Sequence, residues 1–300
     1  VGKIAFLFSG QGAQKTGMGQ QLASCSQEAA KVFAMADEIR PGTSEQCFHG
    51  STEELLATRN TQPCLFCVDL AAAVALREKG IKADYLAGFS LGELPALAYG
   101  GYLSPEDAFR FVIKRAEYMD QCCKDYPGVM FAVVKIPTEV VEQVSAQVPG
   151  SYPVNYNEKA QTVVACTADA AKSFEEAVKS AGGRALRLSV SGGFHSPMMD
   201  DAAEKLRRDF PELTLNKPEI PVIANVTAGE YTDAELLLQQ VHRPVYWQKT
   251  VEYLAKEGVD TFIEVGIGKT LANLVGKILP DAKVMNVEDE ASLQEVLEVL

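Results

Sequence analysis

The chain has 300 residues, 47% of them apolar and 23% charged, which argues against disorder and allows one large domain with an inserted subdomain, or two domains. Its formal net charge of −12 argues against nucleic acid and anionic membrane surfaces as partners, and no apolar run reaches the about 18 residues of a membrane span. Seven cysteines, an odd number at irregular spacings, read as free thiols of a reducing, cytoplasmic compartment rather than as a disulfide framework.

VGKIAFLFSGQG at the start reads as a strand over Lys3 to Phe8 running into a Gly-rich turn, not as a secretory signal. A helix is expected near Met18 to Ile39 and another over Thr61 to Lys79, capped by Asn60 or Thr61. Cys64 and Cys67 fall inside that second, apolar run with no further Cys pair and no nearby His, so they read as buried thiols and not as a redox or metal pair. Asp84 to Gly88 is a short strand, Ser90 opens a helix to Ala98, and Pro105 to Cys123 is an amphipathic helix with Ser104 as its N-cap.

The rhythm then changes. Val129 to Ile136 reads as strand, Thr138 to Gln147 as helix, Tyr152 to Tyr156 and Thr162 to Cys166 as strands, Ala168 to Ala181 as helix and Arg184 to Val190 as strand. That β-α-β-β-α-β order is the ferredoxin-like pattern. It is placed as a small inserted subdomain at 127–193, with 1–126 and 194–300 forming the large one. Helix resumes at Met198 to Asp209, followed by strand Pro221 to Asn225, helices near Asp233 to His242 and Lys249 to Glu257, strand Thr261 to Val265 and helix Lys269 to Lys277. Strands alternating with helices imply an α/β fold with a mainly parallel sheet covered on both faces.

Gly88-Phe89-Ser90-Leu91-Gly92 sits between the strand DYLAG and the helix LGELPALA. This is the context of a nucleophile elbow, as in α/β-hydrolase-like folds, where a tight turn exposes the serine and the helix start offers N–H groups to an oxyanion. Taken alone, the string also fits an ordinary glycine-bracketed turn. A serine needs a base to become a nucleophile. Of three histidines, His49 reads as a polar surface loop and His242 as a helix end, whereas His195 follows a strand in VSGGFHSPMM, where α/β folds place catalytic groups. Ser9 to Gln14, SGQGAQ, follows the first strand; it is neither a phosphate loop nor a dinucleotide fingerprint, and it fits a ligand-approaching turn or a plain connection. Arg115, in VIKRAEYM, reads from its own segment as a solvent-facing residue beside Lys114.

Taken jointly, GQGAQ, GFSLGE and FHSPMM resemble the malonyl-CoA:acyl carrier protein transacylases. NTQP at Asn60 to Pro63, VNYN at Val154 to Asn157, RPVYW at Arg243 to Trp247 and EVGIGKTL at Glu264 to Leu271 extend the resemblance over nearly the whole chain, in order. The resemblance implies Ser90 as nucleophile, His195 as base and the backbone amides of Gln11 and Leu91 as the oxyanion hole. It implies that Arg115 grips the malonyl carboxylate through two parallel N–H bonds. Gln62, Asn155 and Asn157 would line or brace the site, and the carbonyl at Tyr246 would orient the base, so that Asp200 and Asp201 are helix-start residues and not a third catalytic acid. Phe194 would fill the space an α-methyl branch needs, a discrimination of about 1–3 kcal/mol. The family usually carries His where Phe89 stands, which removes a polar group beside Ser90. The implied reaction is a ping-pong transfer of malonyl from coenzyme A to the phosphopantetheine thiol of acyl carrier protein, for fatty-acid or polyketide synthesis, with no metal or redox cofactor. An acidic carrier would need local cations, for which Lys269, Lys277, Arg184 and Arg187 are the candidates. The rival readings are a serine thioesterase or hydrolase and a catalytically impaired carrier-protein docking module.

Overall fold

Two sheets organise the chain. A computed structural model describes residues 2–190 and 192–300; Val1, and Ser191 within VSGGFHSPMM, lie outside the described residues. The strands are β1 (Lys3–Phe8), β2 (Tyr85–Gly88), β3 (Gly128–Val134), β4 (Ser151–Glu158), β5 (Gln161–Thr167), β6 (Arg184–Arg187), β7 (Val222–Ile223), β8 (Val259–Val265) and β9 (Lys283–Val287).

The larger sheet has the order β7-β2-β1-β8-β9, every pairing parallel. β1 reads KIAFLF because both its faces are covered, as in parallel sheets generally. Phe6 and Phe8 enter the main core with the helices Thr58–Glu78 and Pro105–Asp125, while Ala5 and Leu7 turn the other way onto Trp247, Val251 and Leu254. In register, Phe8 lies beside Gly88 on one side and Val265 on the other, so the loops after β1, β2 and β8 leave the sheet together at its carboxyl edge. Ligands bind at that edge in open α/β sheets.

The smaller sheet has the order β4-β5-β3-β6, all antiparallel, which is the ferredoxin-like arrangement expected from the element order. One face packs Phe131 and Val133 on Phe174 and Val178; the other turns Met130, Ala132 and Val163 into the main core. β4 is stitched to the large sheet's side of the molecule: Tyr156 N–H donates to Val245 O (2.9 Å) and Val245 N–H to Val154 O (2.7 Å).

Several elements differ from the sequence reading for local reasons. The expected helix Met18 to Ile39 is two, Gln20–Cys25 and Gln27–Ile39, because Ser26 adopts extended angles and its hydroxyl accepts Ala29 N–H as an N-cap. The helix expected from Thr61 begins at Thr58 instead. Asn60 and Thr61 do not cap it; their side chains reach back to the carbonyls of Glu54 and Leu55. His49 ends a helix, Thr43–His49, rather than lying in a loop. The helices Thr52–Leu56 and Glu290–Val299, both opened by capping boxes, and the strand β9 had no counterpart in the reading.

Candidate active site

β2 ends at Gly88, and the chain passes through Phe89 into Ser90 at φ 55°, then through a tight turn into the helix Glu93–Tyr99. A Cβ on Gly88 would overlap the Gly92 carbonyl, and one on Gly92 would overlap the Phe8 carbonyl, so only glycine fits at either position. A serine in the left-handed region costs on the order of 1–3 kcal/mol and persists where its surroundings over-determine it. Here Asn225 does so: its Oδ1 accepts Ser90 N–H (2.8 Å) and its Nδ2 donates to Gly88 O (2.6 Å). Gln240 Nε2 donates to Ser90 O.

His195 Nε2 lies 2.7 Å from Ser90 Oγ, and Nδ1 lies 2.8 Å from Gln240 O. A carbonyl can only accept, so Nδ1 carries the proton and the Nε2 lone pair faces the serine. Burial, then the Arg115 cation, push the imidazole pKa down to about 4 against the opposing pull of backbone carbonyls. The imidazole is therefore neutral at pH 7. Binding a carboxylate to Arg115 offsets the second cause and moves the pKa back up. The acidic limb of kcat/KM, which reports the free enzyme, is expected well below the 6.5 of an ordinary histidine, and that of kcat at a higher pH. Transfer rates over pH 4–8, with pH-jump mixing, measure both; a kcat/KM limb at 6.5 contradicts the burial argument.

The orienting carbonyl is Gln240, not Tyr246. Tyr246 immediately precedes the helix Trp247–Lys256, so its carbonyl is committed to Thr250 N–H and Oγ1–H, both at 3.0 Å, while its ring stacks on Tyr156. Gln240 instead ends the helix Glu235–Gln240, where carbonyls lack intrahelical partners. Asp200 and Asp201 begin the helix Asp200–Asp209, accept from His242 and Tyr126 and leave His195 alone.

Arg115 is fully buried. On the helix Pro105–Asp125 it continues the buried stripe of Phe111, Val112 and Met119, whereas its neighbour Lys114 stays outside with Glu117. The solvent-facing reading thus holds for Lys114 alone. One guanidinium nitrogen donates to Gln62 Oε1 (2.6 Å) and the other to Gln240 Oε1 (2.9 Å) and Ser90 Oγ (3.2 Å). Among the described residues no carboxylate comes within salt-bridge distance, and Nε has no partner. Burial lowers its pKa to about 10, which leaves it charged. A buried cation held by neutral side chains alone is costly, and a bound anion would offset that cost.

The loop after β1 lies on the elbow: a Cβ on Gly10 would come within 2.9 Å of Phe89 O. The amides of Gln11 and Leu91 have no hydrogen-bond partner among the described residues. Gln11, Gly12, Phe89, Asn155 and Asn157 line a cavity of about 270 Å³ beside this loop. Both asparagine Oδ1 atoms are buried without partners among the described residues. Phe89, where the resemblance expects His, packs edge-on against Trp247 at 5.4 Å. Phe194 is buried in the main core, next in sequence to His195. Of the four candidate docking cations, Arg187 lines an open groove with Gln11 and Thr58. Asn225 and Gln240 escaped the sequence reading, since no motif marks either.

The acyl transferase domain model matches residues 5–294. The malonyl CoA-acyl carrier protein transacylase of Bacillus subtilis is 37% identical over 310 residues, spanning 100% of this chain and 98% of that protein. A crystal structure of the Clostridium perfringens malonyl CoA-acyl carrier protein transacylase superposes with a TM-score of 0.95 at 35% identity, over 99% of this chain and 96% of the other. A malonyl-transacylase solved in complex with its type II polyketide acyl-carrier protein gives 0.94 at 32% identity, over 99% and 100%. Likeness that runs from one end to the other in both sequence and fold sets aside convergence on a serine elbow, and the chain belongs to the acyl transferase domain family.

Proposed function

We propose that this chain moves malonyl from malonyl-CoA to the phosphopantetheine thiol of acyl carrier protein through a malonyl ester on Ser90. The observation that carries the substrate choice is the buried, uncompensated guanidinium of Arg115, 3.2 Å from the nucleophile. It is placed to hold an acid tail while the thioester carbonyl meets Ser90. In the first half-reaction the Ser90 hydroxyl proton passes to His195 Nε2 as Oγ bonds to the carbonyl carbon. The oxyanion rests on the amides of Gln11 and Leu91. The C–S bond then breaks, and the coenzyme A sulfur leaves with the proton from His195. The second half runs in reverse, with the carrier's thiol as nucleophile and His195 again as base.

Gln62 and Gln240 fix the guanidinium plane, and Phe194 limits branching at the acyl α-carbon. The free Oδ1 atoms of Asn155 and Asn157 suit the amide N–H groups of a pantetheine arm. Acyl exchange between sulfur and oxygen is redox-neutral and balances in protons, so its chemistry calls for no metal or redox cofactor. Arg187 is a cation available to an acidic carrier protein in a chain of net charge −12. The seven free thiols suit a cytoplasmic setting, and among the described residues no helix is long and apolar enough to cross a membrane. The product serves fatty-acid or polyketide synthesis.

Incubation with malonyl-CoA followed by intact-mass and peptide analysis tests the reading. A malonyl increment that persists on the Ser90 peptide and is discharged by holo carrier protein is expected. Rapid release of free malonate would identify a hydrolase, and absence of any adduct a docking module.

A further inference from the structure

A buried acid at the foot of the elbow is left unused by the transfer chemistry. Glu93, the first residue of the helix that follows the elbow, has no exposed surface. Its Oε1 accepts Asn225 N–H at 2.6 Å, and its Oε2 has no hydrogen-bond partner among the described residues. Asn225 is the residue that holds Ser90 N–H, and Gln240, beside Glu93, is bonded to both Arg115 and Ser90. The titratable groups facing Glu93 are Arg115, from the helix Pro105–Asp125, and Tyr231, from the segment after β7. Among the described residues Tyr231 Oη is likewise buried without a hydrogen-bond partner, and the Tyr102 ring meets the Tyr231 ring edge-on. From the helix Thr58–Glu78, Gln62 points to Arg115 and Asp69 turns away to Ser9. Among the described residues Arg115 is thus the one cation in this buried cluster and Glu93 its one potential counter-charge.

An incoming acyl carboxylate changes that balance. Two carboxylates cannot both stay ionised around one buried guanidinium without strong mutual repulsion. The substrate's carboxylate can take charge-assisted bonds directly from Arg115, while Glu93 accepts the neutral Asn225 N–H and, among the described residues, has no salt bridge to the guanidinium. The proton therefore goes to Glu93. We propose that Glu93 is a proton-linked positioning residue: neutral, it leaves the Arg115 charge to the substrate carboxylate, and ionised, it must take up a proton before that carboxylate can bind. The inference rests on the malonyl reading above. Burial raises the Glu93 pKa to about 8, against the opposing pulls of Asn225, Tyr231 and Arg115, so the switch falls just above neutrality. The sign follows: the raised acid is neutral below that pH, and carboxylate affinity is lost as the pH climbs through it, by up to about tenfold per pH unit.

The test uses the Ser90→Ala chain, which binds acyl-CoA without turnover. Calorimetry in two buffers of different ionisation enthalpy counts protons taken up with malonyl-CoA and with acetyl-CoA. At pH 9 malonyl-CoA is expected to take up nearly one proton more than acetyl-CoA, an excess that fades by pH 6.5. Adding Glu93→Gln, the neutral near-isostere, is expected to abolish the excess and flatten the pH dependence of malonyl-CoA affinity. No excess at pH 9 overturns the inference even if the double variant fails to fold, and an excess that survives Glu93→Gln assigns the proton elsewhere and overturns it too. If malonyl-CoA binds no better than acetyl-CoA at any pH, the malonyl reading itself fails and the inference falls with it.

Discussion

His195→Ala is expected to slow formation of the acyl-Ser90 ester by about 10²–10⁴-fold, the usual contribution of a positioned general base. Among the described residues the side-chain groups bonded to Ser90 Oγ are His195 Nε2 and an Arg115 nitrogen, and a guanidinium cannot accept a proton. The loss must reach both half-reactions, because the same nitrogen returns its proton to the departing sulfur and later receives one from the carrier's thiol. Truncation also leaves Gln240 O buried without its donor, which costs stability on its own account. His195→Gln separates the two effects, since its amide can donate to that carbonyl but is no base. Rapid-quench measurement of ester formation should find both variants slowed to a similar extent. A loss below about tenfold in either, in a folded protein, takes His195 out of the reaction.

The elbow was legible because its chemistry is local. Two glycines around a serine, between an apolar strand and a helix, state a backbone geometry that only glycine can flank, and the overlaps at Gly88 and Gly92 express the same constraint in space. The ferredoxin-like insert was legible for a similar reason: strand and helix periods alternate over short spans, and each strand pairs with one close in sequence, save β6. The order β7-β2-β1-β8-β9 was not, because it depends on which faces of distant helices pack together. Gln240 marks the sharper limit. Its carbonyl orients the base, its Oε1 holds Arg115 and its Nε2 holds Ser90 O, yet it is one of two adjacent glutamines in a six-residue helix. Nothing in composition or period separates it from Gln239, whose side chain merely meets Glu235. The resemblance assigned the orienting role to Tyr246 by its matching position; only the fold reveals that a residue just before a helix gives its carbonyl to the first turn.

Arg115→Ala is expected to cut malonyl loading far more than acetyl loading. Removing one partner of a buried, hydrogen-bonded charge pair costs about 2–5 kcal/mol, or roughly 30- to several-thousand-fold in kcat/KM for the substrate that carries the acid. Acetyl offers the guanidinium only a methyl group, so it loses nothing through that bond. It does lose some order around the nucleophile, since Gln62 and Gln240 give up their common donor. It also gains something, because the cation that depresses the basicity of His195 is gone. The malonyl-to-acetyl ratio of kcat/KM therefore isolates the carboxylate bond from general damage to the site. Arg115→Lys restores the charge but not the fork: an ammonium is a point donor, and the glutamine oxygens that brace the site are arranged around two separate nitrogens. It is expected to recover part of the ratio and to fall short of the arginine enzyme. Equal losses for both acyl groups would make Arg115 a structural strut for Gln62 and Gln240 and leave the enzyme's preference for an acid tail to be carried by another group.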